Sequence, residues 1–160
     1  MLSSEIRFDF SQKLALVVGG SSGIGGGVVD ELLESGAKVL YASRSKGRKG
    51  GGAIHIETDI TKESSILQLF KEVDNYGAID FLVNAAGVSS NTRVSELESC
   101  EWDQIMSTNL RSMFLCCREA IVRMKKKGVG KIVCVSSIAG RHRSVAAGVH
   151  YVSSKAGIIG

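Results

Sequence analysis

Near the end of the chain Tyr151 and Lys155 stand four residues apart. On a helix that spacing puts both side chains on one face. A free phenol, with a pKa of about 10, is a poor acid–base group near neutrality. A neighbouring ammonium favours the phenolate, so the pair could move a proton to or from an oxygen. Tyrosine and lysine also sit four apart on many solvated helices, so the spacing draws its meaning from where in the fold it falls.

A second chemical feature lies near the N-terminus. Val17-Val18 runs into Gly19-Gly20-Ser21-Ser22-Gly23-Ile24-Gly25. A strand, a glycine turn and a helix start are the context that a dinucleotide fingerprint requires. Gly19 permits a tight turn, Gly23 lets the backbone approach a pyrophosphate, and Gly25 lets the helix pack on the sheet. Free N–H groups of the loop, Ser21 and Ser22 included, and the helix dipole favour the phosphate charge. Gly26 and Gly27 weaken the first helical turn, by about 1 kcal/mol each against alanine. A plain glycine turn competes with this reading.

The elements that must position these groups alternate along the chain. Apolar runs at 14–18, 38–42, 53–57, 80–84 and 131–135 read as strands. Helices are expected over 23–35, 63–76 and 102–124, with a last one starting near residue 150. The second carries Ile66, Leu67, Phe70 and Val73 on one face. This alternation predicts an α/β fold, a doubly wound Rossmann-type parallel sheet in three layers. The crossover at 44–52, rich in Gly, Lys and Arg, is too short for a normal helix and reads as a loop. The whole chain, 1–160, reads as a single domain, with about residues 1–12 as an N-terminal extension.

Composition narrows the function classes. Hydrophobic residues make up 44% and charged residues 22%, an ordinary globular balance. A net charge of +4 is too mild to imply nucleic acid. The basic cluster of Arg123, Lys125, Lys126, Lys127 and Lys131 falls at a helix C-terminus, where cations suit the dipole. There is no secretory h-region and no apolar run of membrane-spanning length, which points to the cytoplasm and to no membrane partner. His55, His142 and His150 lack metal-ligand spacing, so no metal is expected. Of Cys100, Cys116, Cys117 and Cys134, the last three lie in apolar stretches and read as buried thiols.

Strand two ends Tyr41-Ala42-Ser43-Arg44, with no acid to bind a ribose diol. Arg44 could instead pair with a 2′-phosphate, which favours NADP while leaving NAD possible. Lys46, Arg48 and Lys49 add charge nearby, although a solvated basic loop explains them equally well.

The loop Gly19-x-x-x-Gly23-Ile24-Gly25 resembles the TGxxxGIG loop of the short-chain dehydrogenase/reductase family, with Val18 in place of the threonine. Asn84-Ala85-Ala86-Gly87 is similar to its NNAG motif. The run from Asn109 to Phe114, the strand end from Val135 to Gly140, and Tyr151-x-x-x-Lys155 follow in the family's order. The resemblance covers about residues 13–160. It implies that Ser137, with Ser136 as the fallback, hydrogen-bonds a substrate carbonyl. Tyr151 then donates the proton, Lys155 lowers the tyrosine pKa and holds the ribose, and Asn109 distorts its helix and supports a proton relay to the lysine. It also implies that Asp59, followed by Ile60, contacts the adenine, where a polar residue ahead of a helix capped by Thr61 is the competing reading, and that Asn84, Ala85 and Gly87 lie against a ribose. The expected activity is an NADP-preferring hydride transfer to or from a small-molecule carbonyl or secondary alcohol, a 3-oxoacyl thioester or small ketone first. Family members continue through further strands and a substrate-covering loop, so the last strands of the fold are expected to be missing. The intact family form is expected to be a homo-oligomer. One alternative is a fragment that binds dinucleotide or a protein partner without turnover. A nucleotide-sugar epimerase fits less well, because its glycine loop usually reads GxxGxxG.

Overall fold

The computed structural model describes residues 8–47, 51–142, 144 and 146–160. Its sheet is parallel throughout and contains β1 (Leu14–Val18), β2 (Lys38–Ser43), β3 (Ile54–Glu57), β4 (Phe81–Asn84) and β5 (Lys131–Cys134). The spatial order is β3-β2-β1-β4-β5, which places the first strand in the centre. β1 has no polar residue, and all five of its residues are buried, as a strand covered on both faces requires. Its register aligns Val18 with Ala42 on one side and with Asn84 on the other. The strand ends that carry the glycine turn, Arg44 and the NAAG segment therefore open at the same end of the sheet.

Alternate residues of β1 feed two apolar layers. Leu14, Leu16 and Val18 pack with Ile66, Phe70 and Leu115 on one face of the sheet. Val17 packs with Val29, Val39 and Tyr41 on the other. The helices that supply these layers include α1 (Gly23–Glu34), α2 (Glu63–Asp74), α3 (Ser99–Met106), α4 (Ser112–Lys127) and α5 (Val149–Ile159). The result is the expected doubly wound, Rossmann-type three-layer architecture. Phe10, in the expected extension, packs edge-on against Phe81 at 5.1 Å, and its N–H donates to the Ser35 carbonyl at 2.7 Å.

Four details differ from the sequence reading. On α2 the buried stripe is Ile66, Leu69, Phe70 and Val73, while Leu67 is 38% exposed. The stripe keeps the i, i+3, i+4, i+7 spacing, and Leu67 falls beside it. The helix expected at 102–124 is interrupted: between α3 and α4 lies a π turn, Ser107–Arg111. Of the three cysteines read as buried, only Cys116 is; Cys117 is half-buried and Cys134 exposed, because β5 is an edge strand. Thr61 does not cap α2, whose N-cap is Lys62 without a side-chain bond. The described part of the 44–52 crossover contains no helix, and Arg48 and Lys49 lie outside the described residues.

At the opposite end of the strands Asp80 gathers several elements. Its carboxylate accepts the Leu14 N–H at 3.0 Å and the Lys127 ammonium at 2.6 Å, with Lys13 at 3.8 Å. Burial raises its pKa, but these donors and charges outweigh that and hold it below the usual range. Arg123 pairs with Asp74 and Glu119, so two members of the basic cluster serve internal ion pairs. Among the described residues no helix is long and apolar enough to cross a membrane, and no cluster of three or more metal-ligating side chains occurs.

Candidate active site

The glycine loop is shaped by contact. Gly19 has φ +86°, and a Cβ there would lie 2.6 Å from the Ala86 backbone. A Cβ on Gly25 would lie 2.3 Å from the Gly19 carbonyl oxygen. Side chains at either position would push the loop off the end of β4 or α1 off the loop. Gly23 differs: at φ +55° it has nothing within 4 Å of its missing side chain, so it leaves open space over the helix start. Ser22, the N-cap of α1, makes no side-chain capping bond, and the first turn carries no acid. The positive end of the helix therefore faces outward with no acid in its own first turn to neutralise it.

The cleft in front of this loop has a volume of about 450 Å³. Gly19 and the run from Ser21 through Ile24 to Gly25 form one wall, and Arg44 stands after β2. Asp59 and Ile60 follow β3, and Ala85 and Gly87 follow β4. Arg44 is exposed there and has no ion-pair partner among the described residues. Its turn is held from below. The Tyr41 hydroxyl donates to the Lys46 carbonyl at 2.6 Å, the Ser43 hydroxyl donates to the Ser45 carbonyl at 2.6 Å, and the His55 ring nitrogen lies 3.1 Å from the Ser43 hydroxyl. Asp59 accepts the Thr61 hydroxyl at 2.7 Å and the Thr61 N–H at 3.1 Å. Those two bonds hold its carboxyl below the usual range. Asn84 does not line the cleft. Its side-chain amide donates to Cys117 Sγ at 3.3 Å and Cys134 Sγ at 3.7 Å, and its Oδ1 is buried without a partner among the described residues.

The remaining candidates meet beside Gly87. Asn109 sits fully buried in the π turn, which is the distortion the resemblance implied. Its Nδ2 donates to the Val88 carbonyl at 2.9 Å and to the Ser154 hydroxyl at 3.1 Å. Its Oδ1 accepts the Val88 N–H at 2.8 Å. Lys155, 6% exposed, donates from Nζ to the Val135 carbonyl at 3.0 Å. Burial lowers its pKa from the ordinary lysine value. Its Nζ lies 5.9 Å from the centre of the Tyr151 ring. A Cβ on Gly87 would stand 3.4 Å from both Lys155 Nζ and Asn109 Oδ1. Gly87 thus joins the cleft, whose lining excludes Ser137, Tyr151, Lys155 and Asn109, to the polar cluster behind it.

The end of β5 is fastened to Lys155 from two directions. The Ser136 hydroxyl donates to the Lys155 carbonyl at 2.7 Å, and Gly140 lies so close that a Cβ would come within 2.6 Å of that same group. Ser137 is half-buried and its Oγ accepts the Ala139 N–H at 3.2 Å, capping the short 3₁₀ turn Ile138–Gly140. Ser136 has its proton engaged; Ser137 accepts a bond and keeps its proton for another oxygen. Tyr151 is half-buried on the first turn of α5. Val88 and Ser154 complete the cluster and escaped the sequence reading. Val88 acts through its backbone, which leaves no mark in the residue type.

A family model described as short chain dehydrogenase matches residues 13–160. A 3beta-hydroxysteroid dehydrogenase of Mediterraneibacter gnavus is 36% identical over 163 residues, covering 94% of this chain and 58% of that protein. A 3-oxoacyl-acyl-carrier-protein reductase, FabG, of Vibrio cholerae is 35% identical over 159 residues, covering 92% of this chain and 64% of that protein. A solved short-chain type dehydrogenase/reductase from Mycobacterium marinum superposes with a TM-score of 0.88 at 30% identity, covering 96% of this chain and 67% of that one. The chain thus spans about three fifths of the length of these curated relatives. With the fold, the glycine loop and the Asn109–Lys155 cluster in place, the chain belongs to the short chain dehydrogenase family.

Proposed function

We propose that this chain carries the cofactor-binding and catalytic parts of an NADP-preferring oxidoreductase, acting between a carbonyl and a secondary alcohol, with a 3-oxoacyl thioester or small ketone as the first substrate class. The observation that carries the reading is Gly87, which lines the phosphate-loop cleft on one side and faces Lys155 Nζ and Asn109 Oδ1 on the other. The open space over Gly23 and the unneutralised start of α1 suit a pyrophosphate. Arg44 suits a 2′-phosphate at the far end of the same cleft. When bound, a reduced nicotinamide dinucleotide supplies the hydride.

The chain's own residues do the rest. Ser137 donates its free proton in a hydrogen bond to the substrate oxygen, which polarises the carbonyl. Tyr151 passes a proton to that oxygen as charge develops on it. The Lys155 ammonium sits beside the tyrosine ring, where it favours the phenolate, and would hold the ribose of a bound cofactor. Asn109 holds Val88 and Ser154 so that Lys155 keeps its place. Asp59, Ile60, Ala85 and Gly87 provide the walls of the nucleoside pockets.

Binding without turnover is the second reading, favoured by one observation: Ser137 and Tyr151 stand outside the cleft's lining. An NADPH titration beside a ketone-reduction assay separates the two, with Tyr151→Phe as the control. The phenyl ring keeps the packing and loses the proton, so NADPH affinity should stay near wild type while turnover falls about 10²–10⁴-fold. NADPH binding with turnover within tenfold of wild type in Tyr151→Phe would remove Tyr151 as the acid.

A further inference from the structure

One buried group has no part in the chemistry above. His150 is fully buried on the first turn of α5, directly before Tyr151. Its Nε2 lies 3.2 Å from Oε1 of Glu101, which stands at the start of α3. The same carboxylate oxygen accepts the Thr92 hydroxyl at 2.8 Å and also the Ser90 hydroxyl. Ser90 in turn accepts the Gly148 N–H on its carbonyl at 2.8 Å. His150 Nδ1 is buried with no partner among the described residues, so the ring's proton belongs on Nε2, donating to the carboxylate. The three donors hold the Glu101 carboxyl below its usual range, the Ser90 and Thr92 hydroxyls first.

The start of α5 needs such an anchor. Its N-cap is Gly148, which has no side chain to cap with, and its first turn carries no acid. Gly148 is also required as glycine, because a Cβ would lie 2.4 Å from the imidazole and 3.0 Å from the Thr92 carbonyl. The anchor is supplied instead from α3, where Glu101 holds the His150 side chain. The other half of α5 is fastened separately, by Ser136 and Gly140 at Lys155. Each member of the Tyr151–Lys155 pair therefore has its own anchor.

We propose that Glu101, acting through His150, Ser90 and Thr92, is a positioning residue that sets Tyr151 against the loop following β4. This rests on the reading of Tyr151 as proton donor. Catalysis is sensitive to such placement, since a displacement of about 1 Å can cost roughly 10²-fold in rate.

Three measurements on wild type, Glu101→Ala, Glu101→Gln and Tyr151→Phe test it. They are amide hydrogen exchange, the Tyr151 ring resonance in tyrosine-labelled protein (identified by its loss in Tyr151→Phe), and ketone reduction beside NADPH affinity. In Glu101→Ala, exchange at residues 148–152 should rise at least about tenfold while β1 stays protected. The Tyr151 resonance should shift, and kcat should fall about 10–100-fold with NADPH affinity unchanged. Glu101→Gln keeps an acceptor oxygen in place and should stay near wild type by all three. An unmoved Tyr151 resonance, or unchanged kcat despite faster exchange, would overturn the proposal and leave a purely structural brace. Full turnover in Tyr151→Phe would instead overturn the proton-donor reading, while the exchange and resonance data still report on the anchor.

Discussion

Asn109 and Val88 exchange a pair of hydrogen bonds, side-chain amide against backbone, at 2.8 and 2.9 Å. A π turn is the device that makes this possible. It adds a residue to the helix and turns a buried amide toward a loop that a regular helix would miss. Replacing Asn109 with leucine keeps the branched outline of the side chain and leaves both Val88 groups without this partner. Leaving such groups unsatisfied costs about 1–3 kcal/mol each at full burial. Urea unfolding of Asn109→Leu should show a loss of about 2–4 kcal/mol. A loss below half a kilocalorie would mean that water replaces the amide.

Arg44 stands in the cleft with no ion-pair partner among the described residues. Arg44→Asp should weaken NADPH binding more than tenfold, following from the roughly 1.5–3 kcal/mol of a charge-assisted bond, and should leave NADH binding nearly unchanged. Isothermal titration of both cofactors checks it. Equal wild-type affinity for NADH and NADPH would defeat the assignment.

Lys155 carries a stability cost that depends on pH. Burial depresses its pKa in the folded state, so the unfolded chain holds the proton more tightly. Below the folded-state value both states are protonated and the penalty is complete. As pH rises through that value toward the ordinary 10.5, the penalty disappears. Lys155→Met should therefore be more stable than wild type near neutrality, by a margin that narrows toward high pH, while ketone reduction is lost. Denaturant melts of both proteins at about pH 7 and about pH 10 measure the margin. A margin that widens with pH would contradict the burial argument.

Asp80 works in the opposite sense. Its folded-state pKa is lowered, so its contribution is present above the ordinary value of 3.8 and is lost as pH falls through the folded-state value. Asp80→Asn should cost about 2 kcal/mol near neutrality, a figure reduced for the solvent that reaches Lys13 and Lys127. The wild-type advantage should vanish in strong acid. Thermal melts from neutral to acidic pH will show whether the two curves converge.

Much of this architecture is local and could be read from the chain. The glycine turn, the apolar run of β1 and the helical stripe on α2 are encoded within a few residues of where they act. What escaped was set by distant partners. Leu67 and Leu69 are equally apolar, and only packing under the sheet selects the second. Cys134 sits in an apolar strand like its neighbours, but its exposure follows from the strand order. Thr61 is a good helix cap by type, yet its hydroxyl goes to Asp59. Ser136 and Ser137 are identical in type, and only the position of the Lys155 carbonyl separates them. Asn84 matches its motif, while its amide turns toward two sulfurs.

The central place of β1 constrains the order in which the chain can fold. Its partner on one side, β2, is made soon afterwards, but its partner on the other, β4, begins only at Phe81. The Leu14 N–H waits as long for the Asp80 carboxylate, 66 residues downstream. Until that stretch has left the ribosome, an apolar strand stands with one edge bare, open to pairing with another nascent chain. A translational pause that holds Phe81–Asn84 inside the exit tunnel should therefore yield aggregate, and a pause placed after that strand has emerged should not.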